Sequence, residues 1–307
     1  MHNPISQHGV QGSAFNDDLS SLLHIAAATQ NPVVPLRLSL SQMTTLRWSL
    51  TDEVMQLKHT GFDAIGLWRP KLTEFSDDYA AEMLTRARLP VSSLSFTGGF
   101  TGGCGLSYLD AIEDGRQAID QAEAVGAKTV IVVGGSRNGH TIRHSQRLVV
   151  EGIQRLADFA ELAQIKLSVL PMHPFFSKQW TYLNSLDQTL DVLQAINHPL
   201  VGLAFDTYHL WEETRVLERI PEIAAVTQIV QVSDSPGSPR SEQDRRIPGD
   251  GIIPLQSLIQ AFQWAGFAGY FDIQVWSGNV WKSNYTHLIE QTHATVKAMS
   301  LRVVAAN

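Results

Sequence analysis

One cysteine, Cys104, occurs in 307 residues. A lone thiol excludes an internal disulfide framework and any Cys-x-x-Cys zinc cage, and it suits a reducing compartment. Charge is sparse as well. Asp, Glu, Lys and Arg make up 17% of the chain, and 23 basic residues face 30 acidic ones for a net charge of −7. A duplex nucleic-acid binder needs a basic face, so this balance argues against nucleic acid as a partner. No apolar run approaches the roughly 20 residues of a membrane span. The first 35 residues lack the basic start and long apolar stretch of a secretory signal. These absences point to the cytoplasm and to no membrane partner. Two nucleotide signatures are missing too. The first strand-like run is not followed by Gly-x-Gly-x-x-Gly. The glycine-rich Gly134–His140 stretch resembles an anion nest, or a cover over a site, but lacks the Lys-Ser/Thr of a P-loop.

What remains is ordinary globular chemistry. Hydrophobic residues make up 44% of a 33.9 kDa chain, and a chain of that size hides about three quarters of its surface on folding. Residues 1–35 read as a loose N-terminal extension. From Leu36 a rhythm sets in, a short apolar run followed by a longer amphipathic stretch. The expected strands are 36–40, 63–68, 91–96, 129–133, 165–170, 201–205, 227–232 and 271–275. The expected helices are 51–59 (capped at Thr51), 77–87, 109–125, 149–163, 186–196, 211–223, 254–265 and 281–301. Eight strand–helix units in about 270 residues, with no break in composition, predict a single (β/α)8 TIM barrel over 36–307. A doubly wound open sheet is the alternative, with fewer repeats expected.

A barrel gathers its active site at the C-terminal ends of its strands. The polar residues there are Trp68-Arg69, His173, Asp206 with His209, Gln231, Asp234, the Asp244-Arg245-Arg246 loop, Gln274 and Trp276. Each has a structural reading beside the functional one. Asp206 suits a helix cap, Asp234 a turn, and a histidine after a strand a hydrogen-bonding post. Convergence on one mouth favours a ligand site. Cys104, between glycines, has no histidine partner in sequence and does not read as a nucleophile.

The ordered set Val169–Pro174, Phe205–Trp211, Gln231–Asp234, Arg246–Gly251 and Asp272–Ser277 resembles the xylose isomerase-like barrels. These are the sugar phosphate isomerases and epimerases, relatives of inosose dehydratase/isomerase and, distantly, of endonuclease IV. Asp63–Lys71 is similar to one branch of that group. The resemblance implies one divalent metal held by Glu, Asp, His and Glu on strands five to eight, with the two Glu moving protons. This chain carries Leu170, Asp206, Gln231 and Gln274 there. Only Asp206 survives. Each missing carboxylate forfeits on the order of 10 kcal/mol of gross attraction for a +2 ion, and a glutamine is no general base.

The resemblance therefore implies a sugar isomerase/epimerase-like protein for a small sugar or polyol, without the divalent metal or with one held only weakly. His173, Asp206 and His209 are the catalytic candidates. Trp68, Arg69, Gln231, Asp234, Arg246, Gln274 and Trp276 are the substrate-binding candidates. No metal ligand and no cofactor are expected. The alternatives are a metal site relocated to His173, Asp206 and His209, and a non-catalytic sugar- or polyol-binding barrel. Self-association into a homo-oligomer stays open.

Overall fold

The computed structural model describes residues 34–73 and 76–301; apart from residues 34 and 35, the expected N-terminal extension lies outside them. Eight parallel strands close into a barrel in sequence order. They are β1 (Leu38–Ser41), β2 (Ala64–Trp68), β3 (Val91–Gly98), β4 (Thr129–Val133), β5 (Lys166–Val169), β6 (Val201–Asp206), β7 (Thr227–Val232) and β8 (Tyr270–Ile273). β1 pairs with both β2 and β8, which completes the ring. The helices are α1 (Leu50–Thr60), α2 (Arg69–Leu72), α3 (Asp77–Ala87), α4 (Tyr108–Ala124), α5 (Ile142–Ala163), α6 (Leu186–Ile196), α7 (Thr207–Leu210), α8 (Val216–Ile223), α9 (Leu255–Trp264) and α10 (Tyr285–Met299). None of the described helices is long and apolar enough to cross a membrane.

Several helix starts differ from the sequence reading: α5 begins at Ile142 rather than 149, and α10 at Tyr285 rather than 281. Ser49, not Thr51, caps α1 through a capping box in which Asp52 answers the Ser49 backbone; the box satisfies two otherwise orphaned N–H groups. The helix expected from Trp211 is shortened, and a separate single turn precedes it. Asp206 caps the single turn α7, and α8 begins only at Val216.

Strand alternation decides which side chains enter the barrel. Leu38, Leu40, Ile65, Leu67, Val130, Val132, Phe205, Val230, Val232, Phe271 and Ile273 join the core shared with the helices. Their neighbours turn inward. Low in the barrel the Ser39 and Ser92 hydroxyls bond at 2.6 Å, and Thr129, Ser168 and Gln228 form a second polar chain. Above lies a separate apolar layer that includes Ile131, Val133, Leu170, Ala204, Tyr208 and Ile229. The mouth sits on top of that layer.

A buried ion pair fixes one side of the mouth. Lys71 Nζ lies 2.6 Å from Glu53 Oε1, and both side chains are at most 5% exposed. Thr45 and Gln42 donate to the same carboxylate. Gln42 also accepts from the Trp68 backbone N–H, so the β1–α1 loop, α1, β2 and α2 are tied together.

Candidate functional site

The four positions singled out on strands five to eight do converge. Leu170, Gln231 and Gln274 line a central cavity at the barrel mouth. Asp206, fully buried, stands behind that wall. Asp206 is the end of β6 and pairs in register with Gln231 of β7.

Asp206 is already engaged. Its Oδ1 accepts from the Tyr208 N–H at 2.9 Å, the capping bond expected of an Asp at a strand-to-helix junction. Arg245 donates to both oxygens, from Nη1 at 3.1 and 2.9 Å and from Nη2 at 2.9 Å. Nη1 also reaches Ser233 Oγ at 3.0 Å, and the guanidinium lies over the Tyr208 ring at 4.4 Å. Tyr208 in turn donates to Asp244 and to the Ser241 carbonyl.

The sequence reading named Arg245 only as part of the Asp244-Arg245-Arg246 loop and chose its neighbour Arg246 as the binding candidate. Arg246 exchanges both backbone hydrogen bonds with Asp234 in a short antiparallel bridge, and its side chain is exposed. Successive side chains on extended backbone point to opposite sides, so Arg245 turns inward. The signal lay in the basic pair itself; its parity did not.

The second Nη2 contact of Arg245 is to His209 Nε2 at 3.1 Å. A guanidinium only donates, so Nε2 accepts and the ring proton sits on Nδ1. Burial, opposed by Asp206 but reinforced by Arg245 and His173, pushes the His209 pKa down to about 3. The imidazole is therefore neutral at physiological pH, and its Nδ1 has no partner among the described residues. Gln231 Oε1, Gln274 Oε1 and Trp276 Nε1 are also unpartnered. Gln274 spends its amide on Met43 Sδ at 3.3 Å. Four buried polar atoms of cavity-lining residues are thus without a partner among the described residues: two N–H donors, on His209 and Trp276, and two acceptors, the glutamine carbonyls. Buried polar groups left open in this way are matched to a ligand or to water.

The other candidates lie elsewhere. Trp68 packs edge-to-face on Trp276 at 6.0 Å. Arg69 is held outside the mouth by Asp114 at 2.9 Å, Gln121 and the Phe96 carbonyl. Asp234 accepts from the N–H groups of Ser235, Gly249 and Ile253, which anchors the 249–253 loop. His173 accepts from the Phe175 N–H and pairs through Nε2 with Glu212 at 2.9 Å; it caps a turn at the edge of the mouth. Residues without a sequence signal complete the rim. Phe96, Trp180 and Glu242 close the cavity, with Trp180 Nε1 donating to Glu242 Oε1 at 2.6 Å.

This donor set suits a hard divalent cation poorly. Leu170 offers nothing, the glutamines are neutral, and a cation at Asp206 would meet the Arg245 guanidinium. Among the described residues, no group of three or more His, Cys, Asp or Glu could hold a metal ion.

The chain belongs to the xylose isomerase-like TIM barrel family, whose model matches residues 54–299. It is similar to the inosose isomerase of Bacillus licheniformis, 23% identical over 88% of this chain and 98% of that protein. A crystal structure of a Sinorhizobium meliloti 1021 protein superposes with a TM-score of 0.79 at 25% identity, covering 86% of this chain and 98% of that one. A zinc-bound IolI structure gives a TM-score of 0.73 at 20% identity, covering 86% and 96%.

Proposed function

We propose that this barrel binds a small keto-sugar or keto-polyol and isomerises or epimerises it, with His209 taking the part a metal ion plays elsewhere in the family. The observation that carries this reading is the neutral, buried His209, a residue of the cavity wall whose Nδ1–H has no partner among the described residues. A neutral imidazole donor in a dry site stabilises an enolate oxygen as that oxygen gains charge. Arg245, donating to Nε2, fixes the tautomer and places a positive charge behind the ring. Asp206 holds Arg245 in place and does not touch the substrate. The two glutamine carbonyls accept from substrate hydroxyls. Among the described residues, Glu242 is the only carboxylate on the cavity wall. It takes the proton from the carbon beside the carbonyl. The C–H electron pair becomes the enolate double bond as the carbonyl pair moves onto the oxygen at His209. The Glu242 carboxyl exchanges its proton with solvent and returns one either to the neighbouring carbon, while the hydroxyl proton of the original carbon passes to the enolate oxygen, or to the original carbon after the enediol has turned its other face.

The test is deuterium exchange from solvent into a panel of inososes and ketoses, followed by NMR after treatment with a chelator. Exchange should persist, and His209→Ala should reduce it at least a hundredfold. Exchange that disappears with the chelator and returns with Mn2+ or Zn2+ overturns the metal-free reading. A second reading, a sugar-binding barrel without catalysis, is favoured by the lack of an unpaired carboxylate at the base of the cavity. Binding without exchange across the panel decides for it.

A further inference from the structure

A second cavity adjoins the first. The central one encloses about 60 Å³, room for a handful of water molecules. The side chamber encloses about 370 Å³. Phe96, Val133, Trp180 and Glu242 belong to both walls. Much of the partition is therefore side chain rather than backbone. The Phe96 and Trp180 rings meet edge-to-face at 5.4 Å, and Glu242 tethers the indole N–H. Side chains like these can turn aside without unfolding a strand.

The chamber has a distinct chemistry. Gly98, Gly99 and Gly135 contribute bare backbone to its lining. Their φ angles are +127°, +77° and +102°, and a Cβ at each would come within 2.0 to 2.3 Å of Val133 O, Cys104 Sγ and Thr101 Oγ1 respectively. Glycine is thus required at all three positions, and their backbone itself forms part of the chamber lining. Phe96 and Trp180 add two aromatic rings to the same lining. Ser136, Gln179 and Glu242 supply polar atoms. An aromatic face with amide and hydroxyl groups around it matches a sugar ring, which has C–H faces and hydroxyl edges.

We infer that the side chamber is a second sugar subsite, so that the preferred ligand is a ketose carrying a glycosyl group, with its keto ring at His209 and its second ring beyond Trp180. The inference rests on the keto-sugar reading of the central cavity. It explains why the larger volume lies beside the reactive groups rather than over them.

Cys104 lines the chamber, is exposed, and is the only cysteine in the chain. It therefore reports on occupancy. The probes are D-fructose and two disaccharides that end in fructose, isomaltulose and lactulose. Calorimetry on the full chain gives affinity, and mass spectrometry follows iodoacetamide labelling of Cys104. At least one disaccharide should bind tenfold or more tighter than fructose and slow labelling at least fivefold, with fructose leaving labelling unchanged. A benzyl disulfide adduct at Cys104 should abolish that gain and leave fructose binding intact, whereas Cys104→Ser should keep both. Equal affinities without protection of Cys104 overturn the subsite and leave the central reading standing. Protection by fructose alone overturns the division of the site. If none of the three sugars binds, the subsite is overturned, and exchange into the inosose and ketose panel decides the central reading separately.

Discussion

The contact between Asp206 and Arg245 makes the sharpest physical demand on this fold. Three hydrogen bonds of 2.9 to 3.1 Å join the two groups. The side chains are 0% and 6% exposed, so solvent does not screen them. Removing one partner strands a buried charge, at a cost of about 3–5 kcal/mol. At roughly 2–4 °C per kcal/mol for a chain of this order of size, that is about 10 °C in Tm. Asp206→Asn and Arg245→Met should each show this loss. The double variant buries no stranded charge and should recover at least about 2 kcal/mol relative to the sum of the single losses. Calorimetric Tm and denaturant midpoints on the four proteins complete the cycle. Single losses under about 1 kcal/mol that simply add would show that the pair is not the anchor described above. Asp206→Asn should also weaken His209-dependent exchange with its substrate affinity largely kept, because it loosens Arg245 rather than a substrate contact.

Further outcomes follow from neighbouring groups. Asp272 is buried inside the barrel; burial, partly offset by the Ser39 and Ser92 hydroxyls and reinforced by the Asp206 charge, raises its pKa from 3.8 to about 6. The folded protein therefore holds a proton that the unfolded chain releases, and stability contributed at low pH is lost as pH rises from about 4 through 6. Asp272→Asn should gain about 3 kcal/mol at pH 7.5 and nothing at pH 3.5, read as Tm across that range. His209 has the opposite sign, since its folded pKa is depressed from 6.5 to about 3. It costs stability as pH falls through that window, and His209→Gln should flatten the acid limb of the same Tm profile. Lys71→Met leaves Glu53 charged and unpaired in the interior, and should lower stability by about 3–5 kcal/mol in chemical denaturation. Gly98→Ala places a methyl against the Val133 carbonyl at a positive φ, and should cost about 1–3 kcal/mol by the same measurement.

Much of this architecture was legible in the chain. The alternation in Ala204-Phe205-Asp206, Ile229-Val230-Gln231 and Asp272-Ile273-Gln274 already assigns one residue set to the helices and the other to the lumen. Leu170, Asp206, Gln231 and Gln274 could therefore be placed at one mouth before any coordinates. Local sequence also dictated that Asp206 would cap a turn. Loop partners were not legible. Nothing in the order of residues says that Trp180, Phe96 and Glu242, from three separate segments, would form a partition. The sequence likewise placed His173, Arg69 and Asp234 near the mouth without showing that each is held by Glu212, Asp114 or loop amides instead of facing the cavity.

The amino-acid sequence by itself determined eight alternating strand–helix units, because period-two and helical hydrophobic patterns are local properties, and the number of repeats favoured a closed barrel over an open sheet. It also determined that the strand ends carry amides where a cation clamp would need carboxylates. Tertiary structure alone decided that Arg245 rather than Arg246 meets Asp206. That choice depends on the Asp234–Arg246 bridge, which sets the facing of one extended residue against a strand 39 positions away. It also decided that His209 is neutral and presents Nδ1–H, since burial and the Arg245 contact exist only once the chain has closed.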